Sequence, residues 1–230
     1  MDIRILHYLE GAAQAEGIAV VIDVFRAFTT AVFFAENGAE RIIPVDDIAL
    51  AYQLKARNPD YLLAGERGGM IQEGFDYGNS PAAIENRQFA GKTIVITTSA
   101  GTQGLAEAAK HADEVITGSF VNAAAAAEWI RSRSPGVVSL ICMGWNGREP
   151  ADEDTLYAEY LQGLLTGNPK SFSETADFIR NESTTMHFLK TGVNSAEAQR
   201  DFDLCLSLDR AGFVLRVRPG SPMELVQETP

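Results

Sequence analysis

Cysteine is scarce in this chain. Its 230 residues carry only Cys142 and Cys205, far apart in sequence. That excludes a disulfide framework and fits a reducing, cytoplasmic setting. Histidine is nearly as scarce, and His7, His111 and His187 all fall outside the polar clusters described below. A histidine-phosphatase or Ser-His-Asp site is disfavoured on that ground. Long apolar runs are missing too. None approaches the roughly 18 to 20 residues that span a bilayer. The opening MDIRILHYLEG lacks the basic start and apolar stretch of a signal peptide. Positive charge is in deficit: 19 Lys and Arg against 31 Asp and Glu leave a formal net charge of −12. Such a balance argues against nucleic acid and anionic membrane as partners. It also requires any anion site to be locally basic.

What the chain does have is a regular alternation of strand and helix signals. Residues 18–23, 41–45, 61–65, 93–97, 114–118, 137–142 and 213–217 read as short strands rich in Val, Ile and Leu on both faces. Helices covering both sides of a parallel sheet produce that pattern. Helical stretches are expected near 27–37, 47–57, 101–110, 121–132 and 152–165. Asn37-Gly38 and Gly167-Asn168-Pro169 read as helix stops, and Asn122 as the cap of the Ala-rich helix after it. SFSETADF and NSAEAQRDF resemble further helix starts, and the tail GSPMELVQETP reads as irregular. No repeat or linker interrupts residues 1–230. The expectation is one three-layer α/β domain, its sheet mainly parallel or mixed and flanked by helices. Assembly into a homo-oligomer is compatible with this reading.

Four of the apolar runs end in polar clusters, and parallel strands would bring all four to one sheet edge, where open α/β folds hold ligands. After the first, Asp23 and Arg26 stand before a helix whose first turn carries Thr29 and Thr30. A metal ligand plus an anion clamp is the functional reading, and an Asp cap paired with a nearby Arg is the plain one. Residue 25 is Phe, so the Asp-x-Asp of haloacid-dehalogenase phosphatases is absent. After another run, Gly65-Glu66-Arg67-Gly68-Gly69 places a carboxylate beside a guanidinium with glycines that allow close backbone approach. A loop with Asp76, Asn79 and Ser80 follows, and an ordinary turn-rich loop is the plain alternative. Thr97-Thr98-Ser99-Ala100-Gly101-Thr102 offers hydroxyls and amides as a phosphate cradle, or simply a capped helix start. It carries neither the Walker nor the dinucleotide-binding glycine pattern. Cys142 through Arg148 has the Cys-x5-Arg spacing of thiol-dependent phosphatases. The acids that follow, among them Glu153 and Asp154, suit either a helix N-terminus or Mg²⁺.

Taken together and in order, these segments resemble the 2-phosphosulfolactate phosphatase (ComB) family. Ile22-Asp23-Val24-Phe25-Arg26-Ala27-Phe28-Thr29-Thr30 is similar to its Asp-x-x-Arg-Ala-x-Thr-Thr segment. So are Gly65 to Gly68, Gly74 to Pro81, Thr97 to Thr102, Cys142 to Thr155, and Asp201-Phe202-x-x-Cys205-x-x-x-Asp209. The resemblance runs from about residue 18 to 217. It implies a magnesium-dependent hydrolase that releases phosphate from 2-phospho-3-sulfolactate, a small anionic substrate on the route to coenzyme M. By matching positions, Asp23, Glu66, Asp76, Glu153 and Asp154 become metal or acid–base candidates. Arg26, Arg67, Asn79, Ser80, Thr98 and Thr102 become anion binders. Two positions depart from the family pattern: Ala100 stands where Asn is common, and Met143-Gly144-Trp145 where Ala-Gly often follows the cysteine. The expected mechanism is metal-assisted monoester hydrolysis, with Mg²⁺ held among Asp23, Glu66 and Asp154 and a carboxylate such as Asp76 orienting water. Two rivals stand beside it: a thiolate route through Cys142 and Arg148, and a non-catalytic binder of phosphorylated or sulfonated acids.

Overall fold

The structure is a computed structural model that describes residues 1–183 and 195–230. His187 therefore lies outside the described residues. Among the described residues nine strands form one sheet in the order β1-β7-β2-β6-β8-β9-β3-β5-β4. The strands are β1 (Asp2–His7), β2 (Ile18–Ile22), β3 (Arg41–Pro44), β4 (Leu62–Gly65), β5 (Thr93–Thr97), β6 (Glu114–Gly118), β7 (Val137–Cys142), β8 (Val214–Arg218) and β9 (Glu224–Glu228). Eight α-helices are described: α1 (Tyr8–Ala12), α2 (Ala27–Glu36), α3 (Ile48–Arg57), α4 (Gly101–Ala108), α5 (Ala123–Arg133), α6 (Asp152–Thr166), α7 (Phe172–Asn181) and α8 (Ser195–Cys205).

The β-branched run of β2 shows why the chain layers itself. Ala19 and Val21 point into a core with Phe28, Phe33 and Phe34 of α2 and Leu105 of α4. Ile18, Val20 and Ile22 point the other way, against Trp129 of α5 and Tyr157 and Leu161 of α6. A period-2 strand that is apolar at every position must be covered on both faces. The result is the expected α/β sandwich with a mixed sheet. The helix stops fall where expected, with Gly38 and Gly167 at positive φ.

Three expectations are corrected. The tail forms β9, which pairs antiparallel with β8 from Val214↔Glu228 to Arg218↔Glu224. Arg216 meets Glu228 at 2.6 Å across that pair. The strand is held by its partner rather than by its own pattern, so the turn residues before it masked it. The N-terminus adds β1, parallel to β7, and sets His7 opposite Cys142. His7 thus lies at the polar sheet edge after all, exposed to solvent. Asn122 does not cap α5: its Nδ2 donates to Phe213 O, and Asp209 Oδ1 accepts from Ala124 N instead.

The topology decides where the loops meet. Strands β1, β7, β2 and β6 are mutually parallel, as are β3, β5 and β4. The antiparallel β8–β9 pair joins the two groups through one residue pair on each side, Ile116↔Arg216 and Ile42↔Leu225. Across the ladder the groups therefore run in opposite senses. Sheets twist by about 20–25° per strand, so five steps from β2 to β5 accumulate roughly 100–125°. Direct hydrogen bonds join the loops at the carboxyl ends of the two groups, with Gly101 N after β5 donating to Asp23 Oδ2 after β2 at 3.1 Å.

Candidate active site

Three carboxylates carry the cleft, each gripped by main-chain N–H groups. Asp23 follows β2 directly. Its Oδ1 accepts from Ala27 N at 3.0 Å and its Oδ2 from Gly101 N at 3.1 Å. One carboxylate thus closes the N-terminal turns of α2 and α4, where unpaired N–H groups favour negative charge. Gly101 is required there, because a Cβ would lie 2.9 Å from Asp23 Oδ2. Burial pushes the Asp23 carboxyl up to about 6, opposed by these N–H donors and reinforced by the charge of Glu66. Asp154, in the first turn of α6, accepts from Val24 N at 2.9 Å and from Gly144 N at 2.8 Å. Burial pushes it above the usual carboxylate range, with the charges of Glu153 and Asp23 adding to the shift. Glu66 accepts from Ser99 N at 2.7 Å on one oxygen, and from Gly69 N at 2.7 Å and Ser99 Oγ at 3.0 Å on the other. All three residues are less than one-tenth exposed.

The two expected guanidinium groups are differently placed. Arg67 Nη2 donates to Thr97 Oγ1 at 2.6 Å and Nη1 to Glu66 O at 2.8 Å. Burial lowers its pKa, yet a guanidinium stays charged at neutral pH. Arg26 donates to Asp201 Oδ2 in a largely buried ion pair. Asp201 Oδ1 also accepts from Ser80 Oγ and Ala82 N, both at 2.8 Å. Asp201 therefore ties α8, the 79–82 loop and Arg26 together. Sequence reading put it in a family signature but not among the site residues, because nothing in its own segment shows what it reaches.

The hydroxyl run is more local than a cradle would require. Thr98 and Thr102 bond each other's main chain reciprocally, with Thr98 N to Thr102 Oγ1 at 2.9 Å and Thr102 N to Thr98 Oγ1 at 3.1 Å. Both start α4 rather than offering free hydroxyls. Thr29 Oγ1 donates to Val24 O at 2.9 Å, and Ser99 Oγ serves Glu66. Among the described residues Thr30 Oγ1 has no hydrogen-bond partner, though it is buried. It lines a cavity of about 10 Å³ with Asn79, Gly65 and Thr98, room for one water at most. Asp76 stands apart from the three carboxylates. Its Oδ2 accepts from Leu63 N at 2.8 Å and lies 3.3 Å from Lys55 Nζ, fastening the loop to β4. Glu153 is buried beside Asp154.

Cys142 does not fit a nucleophile. It sits in the apolar core with Val20 and Leu140, and its Sγ donates to Asp154 O at 3.5 Å. Burial and the Asp154 charge push the thiol up, away from the thiolate form. Arg148 is exposed while Cys142 is buried. The Cys-x5-Arg spacing thus joins a buried strand end to an exposed surface turn.

Among the described residues, no three His, Cys, Asp or Glu side chains form a ready-made metal cage. Mg²⁺ does not need one. It is commonly held by one or two carboxylates, waters and substrate oxygens. Asp23, Asp154 and Glu66 supply hard oxygen donors with lone pairs left over after their N–H bonds. A cation would also relieve the burial and mutual repulsion that raise Asp23 and Asp154, so the donor set fits.

A family model described as 2-phosphosulpholactate phosphatase matches residues 5–219. The chain belongs to that family. It is 43% identical to the "Probable 2-phosphosulfolactate phosphatase" of Thermotoga petrophila over 198 residues, which is 83% of this chain and 85% of the relative. It is 33% identical to the similarly named protein of Thermus thermophilus over 221 residues, 90% and 91% of the two chains. With that of Caldicellulosiruptor saccharolyticus the identity is 39% over 168 residues, 70% and 69% of the two. Every cleft residue described above lies within the matched span, and membership places the protein among phosphatases. Among the described residues no helix is long and apolar enough to cross a membrane.

Proposed function

We propose that this chain is a magnesium-dependent phosphatase that removes phosphate from 2-phosphosulfolactate or a closely related small phosphorylated hydroxy acid. The observation that carries the reading is the meeting of Asp23, Asp154 and Glu66 with Arg67 at one sheet edge. Three buried acids beside a half-buried guanidinium suit an anionic ester brought in with a cation. Mg²⁺ would be held by Asp23 and Asp154, with Glu66 close by. When bound, the ion supplies Lewis-acid neutralisation of phosphoryl charge.

The chain's own residues do the rest. Arg67, held by Thr97 Oγ1, presents fixed positive charge to the phosphoryl oxygens without reorganising during reaction. Arg26, steered by Asp201, offers a second cation for the phosphoryl group or the substrate's other acidic group. The N–H groups of Ala27, Gly101, Val24, Gly144 and Ser99 hold the carboxylates in place, so the site is preorganised before substrate arrives.

The test is a panel of phosphomonoesters that includes 2-phosphosulfolactate, assayed with Mg²⁺ and with excess EDTA. Turnover that needs Mg²⁺ and falls by at least about 10²-fold in Asp23→Ala or Asp154→Ala is expected. Turnover that survives EDTA would sink the metal reading. No hydrolysis of any ester, with thermal stabilisation by ligand retained, would mark a non-catalytic binder.

A further inference from the structure

The mouth of the cleft carries an apolar rim that the reaction itself does not require. Trp145, Met70 and Ile71 are among the most exposed large apolar side chains described, Trp145 at 47% and Met70 at 70%. They sit on two facing tight turns. In one, Arg67 N donates to Met70 O at 3.0 Å and Met70 N to Arg67 O at 3.2 Å. In the other, Trp145 N donates to Glu149 O at 2.8 Å and Glu149 N to Trp145 O at 3.1 Å. Each turn also carries the amide that holds a site carboxylate. Gly69 N serves Glu66, and Gly144 N, one residue before the tryptophan, serves Asp154. The indole reaches from the second turn to the first: a Cβ on Gly69 would lie 3.3 Å from Trp145 Cη2. Gly69 has a φ of +79°, so bare backbone both fits the turn and leaves room for the ring.

We propose that Trp145 is a specificity-determining residue: its indole is a fixed roof over the substrate end that does not react, admitting short acidic esters and excluding bulky alcohols. The inference rests on the phosphatase reading above and goes beyond it by assigning substrate size to one residue. The turns that hold the ring are closed by paired hydrogen bonds, so the roof is built rather than induced. A ring across the mouth also thins the water over Arg67, which strengthens its hold on an anion.

Two measurements decide it. In the first, kcat/KM is compared for 2-phosphosulfolactate and p-nitrophenyl phosphate in the wild type, Trp145→Phe and Trp145→Ala. The Ala variant is expected to lose about tenfold on the small acid, mainly through KM, and to gain about tenfold on the aryl ester, with Phe between. Equal changes on both substrates, or none, overturn the proposal. The second measurement uses intrinsic fluorescence with inorganic phosphate and Mg²⁺. The other tryptophan, Trp129, is fully buried under Arg133, with its Nε1 donating to Glu228 at 3.0 Å. It is expected to stay silent. A phosphate-dependent change in the wild type that vanishes in Trp145→Phe supports the roof. A change that persists in that variant, or a wild type that shows none, overturns it. If the wild type hydrolyses no ester at all, the phosphatase reading falls, and the fluorescence result still decides whether the ring covers the bound anion.

Discussion

At the scale of single residues, charge and burial sort the candidates more sharply than spacing does. Cys142 and Asp23 both end strands at the same edge, yet they differ in what surrounds them. Apolar neighbours and the Asp154 charge push the Cys142 thiol up, whereas Asp23 receives two N–H bonds that partly offset its burial. Cys142→Ser is accordingly expected to keep near-wild-type kcat, and iodoacetamide to leave the native enzyme active. Loss of activity in either experiment would return the thiolate route to contention. Arg26 and Arg67 show the same sorting. Each is aimed by a partner on another element, Asp201 and Thr97, so neither is a free-swinging surface cation.

At the scale of elements, the site is made where helix starts meet. Asp23 draws α2 and α4 together, and Gly101 is the contact point. Gly101→Ala would set a methyl 2.9 Å from Asp23 Oδ2 and 3.0 Å from Ala27 Cβ. The expected cost is about 1–3 kcal/mol of stability, seen as a lower denaturation midpoint, with activity falling because Asp23 must shift. Unchanged stability and activity would show that the helices give way freely. The β8–β9 pair matters in a different way. Glu224 binds both Arg41 of β3 and Arg218 of β8, and among the described strands β9 alone links the β3–β5–β4 group to the others. A chain ending at Arg218 is expected to lose cooperative unfolding in denaturant, because β3, β5 and β4 would have no sheet partner on that side.

At the scale of the whole molecule, gathering acids at one edge makes stability depend on pH. Asp23 is raised from 3.8 to about 6, and Asp154 and Asp201 are also raised by burial. A raised carboxyl binds more protons folded than unfolded, so stability falls as pH rises through the window between the two values. Glu224 behaves oppositely, since Arg41 and Arg218 hold it down, and its stabilising share is lost only below its unfolded value. Between about pH 5 and 7 the raised acids therefore dominate. Metal-free protein is expected to show a falling Tm across that range, with a shallower fall in Asp23→Ala and in added Mg²⁺. A Tm that climbs steadily from pH 5 to 7 without metal would contradict this account of the site.

The layered α/β architecture was legible because it rests on local physics. Strands such as IAVVI are apolar at every position, and helix stops such as Asn37-Gly38 and Gly167 are punctuated by residues that tolerate positive φ. The acids Asp23, Glu66 and Asp154 were legible as candidates because each sits where a strand or turn hands over to a helix or loop. What the segments could not carry was anything decided by a partner far along the chain. β9 exists because β8 pairs with it, Arg26 is aimed by Asp201, Asp76 is fastened to Leu63 N, and the Thr98–Thr102 pair spends its hydroxyls on itself. Sequence by itself determined which residues could bear charge and where the chain would turn. Tertiary structure alone decided which charges share a cleft, because sheet twist and main-chain N–H direction act between segments that sequence keeps apart.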